Sequence, residues 1–253
     1  MLHSKQIGHN GNHLLMLHGW GQSHQNLQQL GELLAPNHHI HLIDLPGFGL
    51  SPHPGDTWNT FQYAERLAQY LHEHNIDRCH ILGHSFGGKV AMSFAIMYPH
   101  LTNRLILIAP SGLKRHRSLP DKLRMKAIQF FGKTLKSIDV LFKTALFQDH
   151  FAPKYGSVDY RNAGAMRAIL VKSVNEDLSD KIATIKAPTL LLWGENDTET
   201  PPEIAIRLQM LIEGSKLILF PQKGHNLFHD CGSHLCASYI APFLAQNSMG
   251  NDR

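Results

Sequence analysis

Residues 81–90 read I-L-G-H-S-F-G-G-K-V and contain the pattern G-x-S-x-G at 83–87. Two apolar residues end a predicted strand before the pattern, and an apolar helical pattern starts directly after it. The residue at the tip of so tight a turn has strained dihedrals, so the residues two before and two after it must be small. Gly83 and Gly87 meet that need. The turn therefore presents the hydroxyl of Ser85 at a helix N-terminus, where developing negative charge is favoured.

Continuous apolar runs alternate with amphipathic helical patterns on both sides of this turn. The predicted strands are residues 13–17, 39–45, 79–82, 105–109, 188–193 and 216–220. Strands that are apolar throughout are typical of a parallel sheet covered by helices on both faces. The sequence therefore predicts an α/β fold, in which ligands bind in the loops at the carboxyl ends of the strands.

Residues 111–187 interrupt the alternation with helical patterns and no strand. We interpret them as a helical cap inserted into a core domain of residues 1–110 and 188–253. The segment holds 15 of the chain's 24 lysines and arginines but 7 of its 20 acidic residues, so its net charge is +8. One interpretation is that its basic residues form the solvated face of amphipathic helices. The alternative is that they attract an anionic substrate, an acidic carrier protein or a membrane surface.

Composition limits the other possibilities. No apolar run reaches the length of a membrane span and no secretory signal precedes the first strand. Cys79, Cys231 and Cys236 lack C-x-x-C spacing, which favours reduced thiols and a cytoplasmic protein. The alternation of histidines at 38, 39 and 41 is too weak to predict a metal site. Since no phosphate loop, dinucleotide fingerprint or zinc-ligand cluster is present, we expect no cofactor and no nucleic-acid partner.

A serine hydroxyl needs a base to remove its proton, and a carboxylate to orient that base. Asp197 follows the strand 188–193 and His225 follows the strand 216–220, so both lie in loops at the same sheet edge as Ser85. Glu195 is the alternative acid. His84 is interpreted as a packing residue rather than the base, because it neighbours Ser85 on the strained turn, and His229 and His234 lie towards the last helix.

The motifs H-G-W-G at 18–21, D-L-P-G-F-G-L-S at 44–51, G-E-N-D at 194–197 and G-H at 224–225 resemble those of the α/β-hydrolase superfamily. The order Ser85, Asp197, His225 is also that of the superfamily. The resemblance implies an oxyanion hole formed by the backbone N–H groups of Trp20 and Phe86.

The pocket positions that the resemblance places beside the substrate are His18, Gly19 and His84. We expect Asp44 to bond the backbone of its own loop. The serine nucleophile separates the chain from haloalkane dehalogenases and epoxide hydrolases, which carry aspartate there.

The predicted activity is that of a serine carboxylesterase. H-G-W-G at 18–21 and G-H-S-F-G-G at 83–88 also resemble the pimeloyl-acyl-carrier-protein methyl ester esterases, whose acidic carrier would suit a basic cap. Three alternatives stay open: a thioesterase, a C–C bond hydrolase with the same triad, and a small-molecule receptor of hydrolase fold that does not turn over.

Overall fold

The computed structural model describes residues 1–115, 119–151, 157–229 and 231–246. The chain divides into two compact units, Met1–Leu113 with Lys172–Arg253, and Lys114–Val171. Residues 172–187, which the sequence assigned to the insertion, belong to the first unit. Arg117, one of the basic residues of the insertion, lies outside the described residues. That the second unit serves as a cap stays a prediction.

The first unit is built on a sheet that has seven strands among the described residues. They are β1 (Ser4–Ile7), β2 (His13–Leu17), β3 (His39–Ile43), β4 (Cys79–His84), β5 (Thr102–Ile108), β6 (Thr189–Gly194) and β7 (Lys216–Phe220). Their order is β1-β3-β2-β4-β5-β6-β7, and every neighbouring pair except β1–β3 is parallel. The predicted fold class is confirmed.

The helices alternate with these strands. They are α1 (Gln28–Leu34), α2 (Thr60–Glu73), α3 (Ser85–Met97), α4 (Leu119–Phe142), α5 (Val158–Asn162), α6 (Arg167–Asn175), α7 (Ser179–Ile182), α8 (Pro202–Leu211) and α9 (Gly232–Ala245). Asn59 caps α2 by accepting from the N–H of Gln62, whose side chain accepts from the N–H of Asn59 in return. Among the described residues, none of the helices combines the length and the apolarity needed to cross a bilayer.

Burial explains which strands the sequence could predict. The central strands β2, β4, β5 and β6 are almost wholly buried, so their apolar runs are unbroken. The edge strand β1 was missed, because Ser4–Ile7 is short, mostly polar and only half-buried. It pairs antiparallel with β3 in the register Ser4↔Ile43 to Ile7↔Ile40.

The end of α6 is held by a buried cation. Lys89 on α3 is 2% exposed, and its ammonium donates to the carbonyl oxygens of Ser173 at 2.6 Å and Glu176 at 2.7 Å. These carbonyls belong to the last turn of the helix, whose partial negative charge a cation stabilises. This contact ties the returning chain to the helix that follows the Ser85 turn.

The second unit has a small apolar cluster of its own. Phe147 and Phe151 are buried and stack at 5.2 Å, with Ile128, Leu135 and Tyr160 packed against them. Other apolar side chains of α4 are well exposed, including Phe130 at 73% and Leu141 at 74%. The helix is therefore less completely buried on its apolar side than the helices of the first unit.

Candidate active site

The turn between β4 and α3 places Ser85 at a positive φ of 50°. A Cβ atom on Gly83 would stand 2.4 Å from the carbonyl oxygen of Gly87, and one on Gly87 would stand 2.3 Å from the carbonyl oxygen of Leu17. Neither position can carry a larger residue unless the backbone shifts. The strain and the crowding predicted from G-x-S-x-G are both present, and Ser85 is half-buried at the carboxyl end of the central strand.

Asp197 and His225 are brought together from loops that follow β6 and β7. The Nδ1 atom of His225 lies 2.8 Å from Oδ2 of Asp197. Asp197 is 3% exposed, and its Oδ1 accepts from the backbone N–H groups of Glu199 and Thr200 at 2.8 Å each. This network favours an ionised carboxylate that accepts from Nδ1–H, which leaves the lone pair of the imidazole on Nε2.

The electrostatics of Asp197 are the balance of two opposed effects. Burial disfavours its charged form, but the hydrogen bonds from His225 and Thr200 outweigh burial and hold the pKa of the carboxyl below its ordinary value. Glu195, the alternative acid, is exposed, and its carboxylate is not among the partners of His225. The geometry therefore favours Asp197 over Glu195 as the orienting carboxylate.

Two further side chains lie at this site: Thr200, which the sequence did not single out, and Glu199, which was considered only because it flanks Asp197. The hydroxyl of Thr200 donates to Oδ2 of Asp197 at 2.8 Å, and the carbonyl of Thr200 accepts from the indole of Trp193 at 2.6 Å. Glu199 places a carboxylate oxygen 3.5 Å from Nε2 of His225. Thr200 lies three residues after Asp197 and Glu199 lies two residues after it. Such residues are too common in loops for the sequence to assign them a role.

Ser85 is less closely associated with His225 than Asp197 is. Among the residues that the structure describes, no hydrogen bond joins the hydroxyl of Ser85 to Nε2 of His225. The backbone carbonyl of His225 instead lies 3.3 Å from Nε2 of His84, the residue before Ser85. Hydrogen bonds of catalytic groups are often long without substrate and shorten in the reacting complex, so this geometry is compatible with a base–nucleophile pair.

The ring of His84 packs against two other aromatic rings. Its ring is 1% exposed and lies between the ring of His225 at 4.8 Å and the ring of Phe228 at 4.7 Å. Burial holds the pKa of His84 well below its ordinary value, so the ring is neutral at pH 7. These contacts agree with the packing role expected of His84. They do not support the expected substrate contact, because the side chain of His84 is almost completely buried.

His18 holds the loop after β2 rather than facing a ligand. Its Nδ1 atom lies 2.8 Å from the carbonyl oxygen of Gly19, and its Nε2 accepts from the N–H of Leu45 at 3.0 Å. The ring is fully buried, and burial lowers the pKa of His18 to about 4. We therefore correct the substrate contact predicted for this residue, since both nitrogens are already bonded to backbone. Gly19 is also buried, with its N–H bonded to the side chain of Gln22.

The two residues expected to supply the oxyanion-hole donors, Trp20 and Phe86, have side-chain rings in contact. Phe86 is the second residue of α3, so its N–H has no carbonyl partner within the helix. The rings of Trp20 and Phe86 are in edge contact at 5.2 Å, and Phe48 joins them at 4.8 Å from Trp20. The loop after β2 and the start of α3 therefore form one apolar wall beside Ser85.

A cavity of about 690 Å³ lies elsewhere in the first unit. It is lined by residues at the amino ends of the strands and by the end of α9, among them Asn12, His38, His80 and Arg104. Because the parallel strands run away from this edge, the cavity is at the opposite end of the sheet from Ser85, Asp197 and His225. It is not the candidate catalytic site.

Known proteins similar to this chain include two kinds of hydrolase. A 2-hydroxy-6-oxo-6-phenylhexa-2,4-dienoate hydrolase of Burkholderia cepacia is 27% identical over 85% of this chain and 82% of its own length. A pimeloyl-[acyl-carrier protein] methyl ester esterase of Aeromonas hydrophila is 28% identical over 86% of this chain and 90% of its own.

Solved structures agree on the fold. An esterase from Exiguobacterium antarcticum superposes with a TM-score of 0.74 at 20% identity, covering 97% of this chain and 96% of the other. The family model described as "Alpha/beta hydrolase family" matches residues 14–238. That match covers β3 to β7 and all but the first residue of β2, together with the Ser85 turn and the loops of Asp197 and His225, and the chain belongs to the alpha/beta hydrolase family.

Proposed function

We propose that this protein is a serine hydrolase that cleaves carboxylic esters, with Ser85 as nucleophile, His225 as base and Asp197 as the residue that orients the base. The observation that carries the proposal is the 2.8 Å contact between Nδ1 of His225 and the buried carboxylate of Asp197. It leaves Nε2 as the basic atom of a largely buried ring, next to the turn that holds Ser85.

The first half of the reaction forms an acyl-enzyme. Nε2 of His225 removes the proton of Ser85 while the serine oxygen attacks the carbonyl carbon of the ester. The imidazolium that results is stabilised by Asp197, and it gives its proton to the alkoxide of the leaving alcohol as the C–O bond breaks. The second half repeats these steps with water as nucleophile, which releases the carboxylic acid and restores Ser85.

The negative charge on the carbonyl oxygen needs donors that are already in place. The N–H groups of Trp20 and Phe86 supply them in this proposal, and each such donor typically contributes ~3 kcal/mol in the transition state. The helix that starts at Ser85 adds the partial positive charge of its N-terminus. The hydrogen bonds of His18 to Gly19 and Leu45 hold the loop of Trp20 in one conformation.

Ester and C–C bond hydrolysis use the same three side chains, so the substrate class must be argued from the residues around them. The net charge of +8 on residues 111–187 supports an acyl group presented on an acidic carrier, such as the one named for the Aeromonas hydrophila relative. The dienoate hydrolase of Burkholderia cepacia makes C–C bond cleavage the second candidate.

The first experiment compares the purified wild type with Ser85→Ala on p-nitrophenyl esters of increasing chain length and on a 2-hydroxy-6-oxodienoate. Turnover of an ester that Ser85→Ala abolishes, and that the surface variant Ser238→Ala retains, supports the proposal. Efficient turnover of the dienoate alone would favour the C–C hydrolase. Tight binding of a small molecule without turnover of either would favour a receptor.

A second experiment tests the carrier. Reversing Arg115 and Arg124 to glutamate should raise KM for a carrier-linked ester about tenfold and leave a small free ester unaffected, because steering acts on the charged partner. The matched control reverses Arg78 and Lys216, which lie outside residues 111–187. Equal effects on both substrates, or an equal effect of the control pair, would exclude carrier recognition by this segment.

A further inference from the structure

Three histidines meet at the amino ends of β2 and β3. His13 is the first residue of β2 and His39 is the first residue of β3, and the parallel register pairs them directly. His41 lies two residues further along β3, and alternate residues of a strand share a face. The sheet therefore places all three imidazoles on one face, which the sequence could not show because His13 is 26 residues from His39.

The distances among these rings suit one small cation. One ring nitrogen from each histidine lies within 4.8 Å of one from each of the others. The closest pair is Nδ1 of His13 and Nε2 of His41, at 2.9 Å. Two imidazole nitrogens on one tetrahedral zinc ion are about 3.3 Å apart, given bonds of ~2.0–2.1 Å. Small side-chain rotations would bring all three nitrogens to that spacing.

Outer hydrogen bonds orient two of the rings. Nδ1 of His41 lies 2.9 Å from the hydroxyl of Tyr70, which itself donates to Ser4 at 2.8 Å. The hydroxyl therefore accepts from Nδ1–H, and the lone pair of His41 is on Nε2, the atom that faces His13. The side-chain oxygen of Gln6 lies 3.0 Å from Nε2 of His39. Histidines that bind metals usually have such a partner on the other nitrogen.

Access and charge are also suitable. His41 is 1% exposed, whereas His13 and His39 are half-buried, so an ion can enter from the side of these two rings. Burial and the neighbouring imidazoles lower the pKa of His41 to about 3, so the ring is neutral at pH 7, the form of imidazole that binds metals.

A second group of possible metal ligands differs from the three strand histidines in its hydrogen bonding. His3, His24 and Asp44 also lie within 4.8 Å of one another. Both carboxylate oxygens of Asp44 already accept from backbone, from His24 at 2.7 Å and Leu50 at 3.0 Å, as well as from the two rings. That group satisfies its own hydrogen bonds, whereas the three strand histidines mainly face one another.

We propose that His13, His39 and His41 form a binding site for Zn²⁺, with solvent in the remaining position. Imidazole is a good ligand for zinc, and neutral rings bind it without repulsion from other cations. The site lies at the amino ends of the strands, whereas Ser85, Asp197 and His225 follow carboxyl ends. Zinc at this site would therefore cross-link β2 and β3 and stabilise the sheet, without taking part in hydrolysis.

The test is zinc binding to protein first treated with a chelator, followed by calorimetry and by thermal unfolding. We expect one site of high affinity per chain and a rise in Tm of about 5–10 °C at a hundredfold excess of zinc over Kd. His13→Gln and His39→Gln should each weaken binding at least tenfold and reduce the rise in Tm by about half or more. His100→Gln, an exposed histidine elsewhere, should change neither.

Tyr70→Phe is a milder variant, because it keeps the ring and removes only the hydroxyl that orients His41. It should weaken zinc binding by about tenfold, in line with other outer partners of metal ligands. Equal affinity in the wild type, His13→Gln and His39→Gln would show binding at scattered surface histidines and would overturn the proposal. Ester turnover with and without zinc should agree, so this result is independent of the proposed function.

Discussion

Two buried aspartates follow strands of the same sheet and differ in what their histidines can reach. Asp44 follows β3 and accepts from the rings of His3 and His24, and Asp197 follows β6 and accepts from the ring of His225. Each also accepts two backbone N–H groups. Both aspartates therefore have the hydrogen bonds expected of a carboxylate that orients a catalytic histidine.

The difference lies in the residues that surround each histidine. His225 contacts His84, next to Ser85, whereas His24 and His3 lie in the segments beside β3 and contact each other at 5.1 Å. The aspartate–histidine pair of Asp44 therefore stabilises a loop, whereas the pair of Asp197 and His225 is a candidate catalytic pair. The third partner, and not the aspartate–histidine pair itself, decides the role.

The largest expected effect separates the two histidines. His225→Gln should lower kcat/KM on an activated ester by about 10⁴-fold or more, because it removes the imidazole proposed to take the proton of Ser85. His24→Gln should leave kcat/KM within about threefold and lower Tm instead. Steady-state kinetics and thermal unfolding of both variants decide this. His229→Gln, in the same loop as His225, is the control, and comparable loss in His24→Gln would contradict the assignment.

The next effect separates the two aspartates in catalysis. Asp197→Asn should lower kcat by about 10⁴-fold, since an amide that donates to the imidazole favours the wrong tautomer. Asp44→Asn should change kcat by less than about fivefold in the folded protein. Measurements belong at a temperature where both variants are folded. If Glu195→Gln were as damaging as Asp197→Asn, the carboxylate would have been misassigned.

Asp44 should instead show its effect in stability. Asp44→Asn should lower the free energy of unfolding by about 2–3 kcal/mol at pH 7, because hydrogen bonds to a buried charged group are lost. Burial opposes the ionisation of Asp44, but hydrogen bonds from Leu50 and His24 outweigh it and lower the pKa of its carboxyl. A carboxyl with a lowered folded pKa stabilises above its unfolded pKa, about 3.9, and loses that contribution as the pH falls through the folded pKa.

Urea unfolding between pH 3 and 7 measures this dependence. The wild type should lose stability below about pH 4, and Asp44→Asn should lose less over the same range. Asp56→Asn, at an exposed position, is the control and should follow the wild type. A parallel pH dependence in the wild type and Asp44→Asn would mean that other carboxyls dominate acid unfolding.

The smallest expected effect concerns the side chain that bonds Asp197, the proposed catalytic carboxylate. Thr200→Val keeps the shape of the residue and removes the hydroxyl that donates to Asp197 at 2.8 Å. We expect kcat to fall about tenfold, which corresponds to ~1.4 kcal/mol. Thr198→Val, two residues earlier, is the matched control. A loss as large as that of Asp197→Asn would mean that Thr200 does more than orient the carboxylate.

The strands predicted at residues 13–17 and 216–220 have the same bounds in the structure. Their patterns are strong because both elements are short, mostly apolar runs ended by turn residues. The prediction failed at β1, where Ser4–Ile7 lacks an apolar run, and at the end of the insertion, where residues 172–187 join the first unit. Edge strands and chain returns depend on partners far along the chain, which local patterns do not contain.

The sequence by itself determined the fold class and the three residues proposed for catalysis, because strand ends, glycine spacing and chain order are properties of short segments. Tertiary structure alone decided that Thr200 bonds Asp197, that His18 holds a loop, and that His13 meets His39 and His41. The physical reason is the strand order β3-β2-β4-β5-β6, which sets residues side by side that are far apart in the chain. A hydrogen bond depends on ångström distances across those strands, and sequence spacing does not specify them.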